Sequence, residues 1–193
     1  PDDGLISHLL NVNIAGRPIE LPELQNMCLL LFAAGIHTVT NVSSFAYWNL
    51  SKSPELQKQL VDHPELITDF AEEAIRLYGV VNAPRIVRKD CEKLGVKFKK
   101  DEMVLCMLPL AGRDENVNAD GNKFKLERKG REYVTFSKGP HLCVGHVLAR
   151  TEIKILTEEW LKHVPSFSLK KGSIQDYHTS TTYALHHVPL TWQ

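Results

Sequence analysis

Phe136-Ser-Lys-Gly139-Pro-His141-Leu-Cys143-Val-Gly145 is the stretch on which the reading of this chain turns. It runs into a helical pattern over Cys143 to His163, with Leu148, Ile155, Leu156 and Trp160 on one side. A thiol just before a helix meets unpaired backbone N–H groups and the positive end of the helix dipole. Both favour the thiolate, the form that binds metal. Gly139 and Gly145 let backbone approach a flat ligand with no side chain in the way, and Phe136 is placed to keep the sulfur dry. Taken alone, a cysteine at a helix start also reads as an ordinary buried thiol.

Outward from the loop, the chain is mainly helical with small sheets. From Leu24 to Ser51 it carries no Asp, Glu, Lys or Arg. With Pro22 at its opening this segment reads as a helix about 42 Å long. It is apolar around nearly its whole circumference, as a helix through a domain's middle is. Gly35, Thr38 and Thr40 interrupt it where the backbone ladder bends most easily. Two shorter helices follow, Pro54 to Asp62 and Glu65 to Tyr78. Val80 to Leu108 holds short alternating runs that read as strands. Pro109 to Glu132 reads as a long irregular loop, and Phe167 to Trp192 as a strand, a turn near Lys171-Gly172 and a late hairpin.

The bulk numbers exclude some partners. Lys+Arg equals Asp+Glu, so a formal net charge of zero argues against nucleic acid or an anionic membrane. The apolar stretch Met27 to Ile36 is too short to span a bilayer, and no membrane span is expected. The four cysteines, Cys28, Cys91, Cys106 and Cys143, form no C-x-x-C pair and suit a reducing, cytoplasmic setting. Pro1-Asp2-Asp3-Gly4 is neither a signal peptide nor an initiator context, so the chain is expected to begin partway through a longer product.

The pattern Phe-x-x-Gly-x-His-x-Cys-x-Gly, followed by Leu148-Ala149-Arg150, resembles the cysteine loop of the cytochrome P-450 family. His141, where most members carry Arg, is the variant of bacterial camphor-hydroxylase-type members. The resemblance implies that Cys143 ligates the iron of heme b (iron protoporphyrin IX), with Phe136, Gly139 and Gly145 around the cofactor. It places Arg85 and His141 against the propionates. Close relatives carry an acid where this chain has Ala83. Ala34-Gly35-Ile36-His37-Thr38 resembles the family's oxygen-binding groove: Thr38 matches its alcohol, while His37 replaces the usual acid in proton delivery. Val80, Val81, Thr181 and Thr182 match substrate-pocket positions. Glu73-x-x-Arg76, with Arg128, matches a buried structural trio.

The resemblance spans essentially the whole chain, yet members are about twice as long. Residues 1–193 therefore read as a single partial domain, the C-terminal half of the cytochrome P-450 fold with the N-terminal half absent. The implied function is a heme-thiolate monooxygenase that hydroxylates a small apolar compound with dioxygen and electrons from a ferredoxin-type partner. The alternatives are a truncated heme-binding protein without that turnover (heme storage, sensing, electron transfer, or a fragment of a longer enzyme), or a helical interaction module that has lost heme. For the short form, peroxide-driven chemistry is expected ahead of dioxygen activation. Self-association or a complementary N-terminal fragment is expected to cover the apolar long helix.

Overall fold

The structure, a computed structural model, describes residues 2–192. They form two compact units, 2–37 and 38–192. In the first, helix α1 (Leu5–Leu9) precedes an antiparallel pair, β1 (Asn13–Ile14) and β2 (Arg17–Pro18), turned through Ala15 and Gly16. The Arg17 guanidinium grips the Glu23 carboxylate at 2.8 and 2.9 Å, and the Glu20 N–H donates to it at 2.9 Å. Arg17, helped by that N–H, holds the Glu23 carboxyl down at about 2. An acid there also suits the positive end of helix α2 (Leu21–Leu50). Sequence reading had no short helix or hairpin before Leu21.

Helix α2 runs without a break through Gly35, Thr38 and Thr40, the positions expected to interrupt it. This also corrects the expectation of no membrane-length segment. Among the described residues α2 is the one helix long and apolar enough to cross a bilayer, with a mean hydropathy of 1.4 over its best window. Counting only the run Met27 to Ile36 missed it, because small uncharged polar residues extend the window without stopping it. A core helix of a water-soluble domain passes the same test.

The second unit takes up α2 from Thr38 and continues with α3 (Pro54–Asp62), a 3-10 turn at Pro64–Leu66 and α4 (Ile67–Leu77). Strand β3 (Asn82–Ile86) pairs antiparallel with β6 (Met103–Met107) across the hairpin β4 (Cys91–Lys93) and β5 (Val96–Phe98). After the short helix α5 (Leu108–Ala111) the chain is irregular until α6 (His146–His163). Strand β7 (Phe167–Leu169) pairs with β10 (Leu190–Trp192) around the hairpin β8 (Tyr177–His178) and β9 (Ala184–Leu185). The fold is thus mainly helical with small antiparallel sheets, as the sequence indicates.

Helix α4 is the pivot of this unit, because both of its faces are buried. Ile67, Phe70 and Ala74 pack with Ala46, Tyr47, Leu50, Leu60, Leu161 and Phe167. Ala71 and Ile75 pack with Val42, Val80 and Ile153. Each large apolar side chain buried this fully contributes about 1.5–3 kcal/mol. Gln57 is the polar tie in this core. Its amide donates to the Leu50 and Phe167 carbonyls, at 2.7 and 3.0 Å, and accepts from the Phe167 N–H at 2.9 Å.

Candidate functional site

Helix α4 carries two adjacent carboxylates that serve different parts of the site. Glu73 and Arg76 are wholly buried and meet through two bonds of 2.8 and 2.7 Å, as their spacing on one helical face requires. The Arg128 guanidinium and the Lys125 N–H donate to Glu73, each at 3.0 Å. Arg76 also donates to the carbonyls of Gly112, Gly121 (2.7 Å) and Lys123 (3.1 Å). Gly112 is required here, since a Cβ would stand 2.3 Å from the Arg76 carbonyl oxygen. Burial pushes the Glu73 carboxyl up, but donors from Arg76, Lys125 and Arg128 outweigh it and hold the group below the usual carboxylate range. This network ties the irregular segment before the cysteine loop to α4.

Glu72, one residue earlier, faces the cysteine loop. It accepts from the Tyr133 hydroxyl at 2.6 Å and from Arg150 Nε at 2.6 Å, and Arg150 also donates to the Tyr133 oxygen at 2.8 Å. Burial, reinforced by the Glu72 carboxylate, pushes the Tyr133 phenol up to about 12. Thr135 donates to the Ile75 carbonyl at 2.9 Å, so the loop is pinned to α4 at two heights. Tyr133, Phe136, Leu142, His146 and Arg150, with Glu72, line a cleft of about 410 Å³ beside the loop.

The loop itself brings together Phe136, Gly139, His141, Cys143 and Gly145. Gly139 takes φ +62°, a left-handed conformation suited to glycine, and opens a 3-10 turn through His141. The Cys143 N–H donates to the Phe136 carbonyl at 2.9 Å, and its own carbonyl accepts from the His146 N–H at 3.3 Å. Helix α6 begins at His146 rather than at Cys143, because Gly145 acts as its N-cap. Cys143 is exposed and Phe136 half-buried. A Cβ on Gly145 would lie 4.0 Å from the Cys143 sulfur.

Elsewhere the sequence-derived positions fall on three elements. Arg85 lies on β3 opposite Val104, and Ala83 opposite Cys106, so both share the face that Val81 continues. Arg85 Nη1 donates to the Pro84 carbonyl at 2.8 Å, and among the described residues no carboxylate lies within ion-pair distance of it. Val81 bridges to Thr182; the Asn82 N–H donates to the Thr181 carbonyl and the Tyr183 N–H to the Val80 carbonyl, both at 2.8 Å. The Val80 side chain is fully buried in the second apolar cluster, while Val81 and Thr182 are partly exposed and Thr181 is exposed. His37 is exposed and Thr38 half-buried on α2.

The donor chemistry fits a heme. An exposed thiol just before a helix could serve as a sulfur ligand to iron. Arg85, with no acid in ion-pair distance among the described residues, and the exposed His141 could offer N–H donors to two carboxylates. Sequence reasoning missed Glu72, Tyr133 and Arg131 as parts of this neighbourhood, and it read Arg150 only as part of the helix that follows the loop. Arg131 pairs with Asp69 at 2.9 Å and approaches Glu73 at 3.4 Å. The one available signal was Arg150 one helical turn after His146.

Comparison with known proteins assigns the class. The cytochrome P450 family model matches residues 3–190. The chain is 31% identical over its whole length to the probable cytochrome P450 127A1 of Sinorhizobium fredii and covers 46% of that protein. It is 32% identical to the putative cytochrome P450 YjiB of Bacillus subtilis over 96% of the chain, again covering 46% of the relative. Among solved structures, cytochrome P450 CYP101C1 superposes with a TM-score of 0.94 at 30% identity, over all of this chain and 50% of that one. CYP101J2 gives 0.91 at 32% identity, over 97% of this chain and 48% of that one. The chain belongs to the cytochrome P450 family. It spans about half the length of the relatives it matches, the C-terminal part, and membership implies a heme cofactor.

Proposed function

We propose that this chain is the heme-thiolate half of a monooxygenase that hydroxylates a small apolar compound, using dioxygen and electrons from a ferredoxin-type partner in the cytoplasm. The observation that carries the reading is the cysteine loop: an exposed Cys143, bonded through its backbone to Phe136 and His146, three residues before α6. In this reading heme b, when bound, supplies the redox and oxygen chemistry. Cys143 would hold its iron as thiolate, and Gly139 and Gly145 would leave the backbone free of side chains on the cofactor's side. Arg85 and His141 neutralise the propionates, with Ala83 leaving one contact unmade. Thr38 offers a hydroxyl and His37 an imidazole for moving protons on α2. Val81 and Thr182, linked across the bridge between β3 and the late hairpin, line the apolar substrate's side of the pocket. Val80 backs them from the core, and Thr181 extends the rim.

Residues 1–193 act in this reading as one partial domain. The first part of α2 supports a need for cover, because Leu29, Leu30, Phe32 and Ile36 are all exposed. A complementary N-terminal fragment or a second copy would bury them. That same openness favours a second reading, a heme-binding protein with weak or peroxide-driven turnover only. The test is the absorption spectrum of the reduced carbon-monoxide complex. A thiolate-type Soret band that Cys143→Ser abolishes is expected, and an unchanged band in that variant overturns the assignment. Substrate-dependent NAD(P)H consumption with a ferredoxin system then separates turnover from simple heme binding.

A further inference from the structure

We propose that Arg150 is a positioning residue that clamps both backbone supports of Cys143. The Cys143 backbone is held by two bonds, its N–H to the Phe136 carbonyl and its carbonyl to the His146 N–H. Arg150 touches both of those partners. Its guanidinium carbon stands 4.6 Å from the centre of the Phe136 ring, within cation–π range. Its Nη1 donates to the His146 carbonyl at 2.9 Å and lies 3.0 Å from His146 Nδ1. A guanidinium only donates, so in a hydrogen bond between these two atoms Nδ1 is the acceptor. Phe136 and His146 are themselves in ring contact, 6.0 Å between centroids, so the leading and trailing sides of the loop close on each other.

A clamp needs a fixed anchor, and α4 provides it. Glu72 and the Tyr133 hydroxyl each bond Arg150, and Tyr133 also bonds Glu72, which closes a triangle. The forked guanidinium is what allows one side chain to reach a carboxylate, a phenol, a carbonyl and a ring face together. Position is therefore transmitted from Glu72 through Arg150 to Phe136 and His146, and from them to Cys143. The clamp deepens the heme-thiolate reading but stands on protein contacts alone, so it is testable without heme.

The experiment is site-resolved amide hydrogen exchange on the heme-free chain, with Arg150→Gln, Tyr133→Phe and Glu72→Gln. Arg150→Gln should speed exchange at the Cys143 and His146 amides about tenfold, the scale set by losing one cation–π contact with its charged bonds. Amides from Ile153 to Leu161, deeper in α6, should keep their protection. Tyr133→Phe removes one anchor only and should give a smaller change at the same two amides. Glu72→Gln should fall between them. Unchanged exchange at Cys143 in Arg150→Gln, or a uniform loss along α6, overturns the clamp. If Arg150→Gln does not fold, Tyr133→Phe decides by the same two amides. In heme-loaded protein, Arg150→Gln should convert part of the thiolate-type carbon-monoxide band to the thiol-type band. Cys143→Ser separates the two claims. If it leaves the spectrum unchanged while Arg150→Gln still frees the Cys143 amide, the iron assignment fails and the clamp stands.

Discussion

The two neighbouring carboxylates of α4 divide the molecule into a finished region and an open one. Glu73 and Arg76 are buried, Glu73 accepts from Arg76, Lys125 and Arg128, and glycines at 112 and 121 admit the backbone that completes the network. Around Glu72 the contacts lead outward to a loop whose cysteine is exposed. The same contrast runs along α2, which is largely exposed up to His37 and largely buried from Asn41 to Leu50. Stability and function are thus built from different halves of the same few turns. The structural network is closed within this chain, whereas the cysteine-loop side leaves its groups exposed.

The hardest way to break this contrast is Arg76→Ala. Removing one partner of a buried ion pair leaves an uncompensated charge and costs ~3–5 kcal/mol, a large part of a domain's stability. Soluble, heme-loaded protein should be lost. Denaturant unfolding that matches the parent would mean that the Glu73 network does not carry the fold.

Acid should open the same region without a mutation. The Glu73 carboxyl is held below its ordinary value, so between the two values the unfolded chain binds the extra proton. Its contribution is therefore complete above the unfolded carboxyl's range and is lost as pH falls through the depressed folded value. Arg128→Gln takes away the donor at 3.0 Å and should move the acid unfolding midpoint to higher pH. A midpoint that stays put in urea titrations at successive pH values would remove Glu73 from the account.

The open side predicts association. Phe32 is 69% exposed and Leu30 67% on a helix with no charged side chain from Leu24 onward. Sedimentation should find dimers or larger species, and Leu30→Glu with Phe32→Glu should shift them towards monomer. A parent chain that stays monomeric across a wide concentration range contradicts the need for cover.

Much of this was legible in the sequence, for local reasons. The spacing of Glu73 and Arg76 gives their pairing, and Pro54 marks the start of α3, whereas Pro64 opens a 3-10 turn and α4 begins only at Ile67. The uncharged run gives α2, and the glycine spacing gives the cysteine loop. What the sequence withheld is long-range. Nothing local ties Tyr133 to Glu72, 61 residues away, or Arg150 to Glu72, 78 away. Side-chain direction was equally hidden: Val80 and Val81, just before β3, look alike in sequence, but the first is in the core and the second is half-exposed. The start of α6 shifted from Cys143 to His146 because a capping glycine, not the periodicity, decides where the ladder begins.

The smallest expected effect sharpens the contrast most. Cys143 is exposed, and its backbone, not its sulfur, makes the bonds that shape the loop. Cys143→Ser keeps that backbone and nearly the same volume. Surface substitutions away from core, cap or buried-charge features usually change stability by no more than ~0.5 kcal/mol. The heme-free variant should therefore unfold with the parent's midpoint and slope in urea, while the thiolate-type carbon-monoxide band disappears from the heme-loaded form. Comparison with Arg76→Ala makes this informative: one variant loses the fold and the site together, the other loses the site alone. A substantial fall in the stability of heme-free Cys143→Ser would show the sulfur to be part of the packed structure. The cysteine would then belong with Glu73 in the finished region, and the division drawn along α4 would fail at its most important residue.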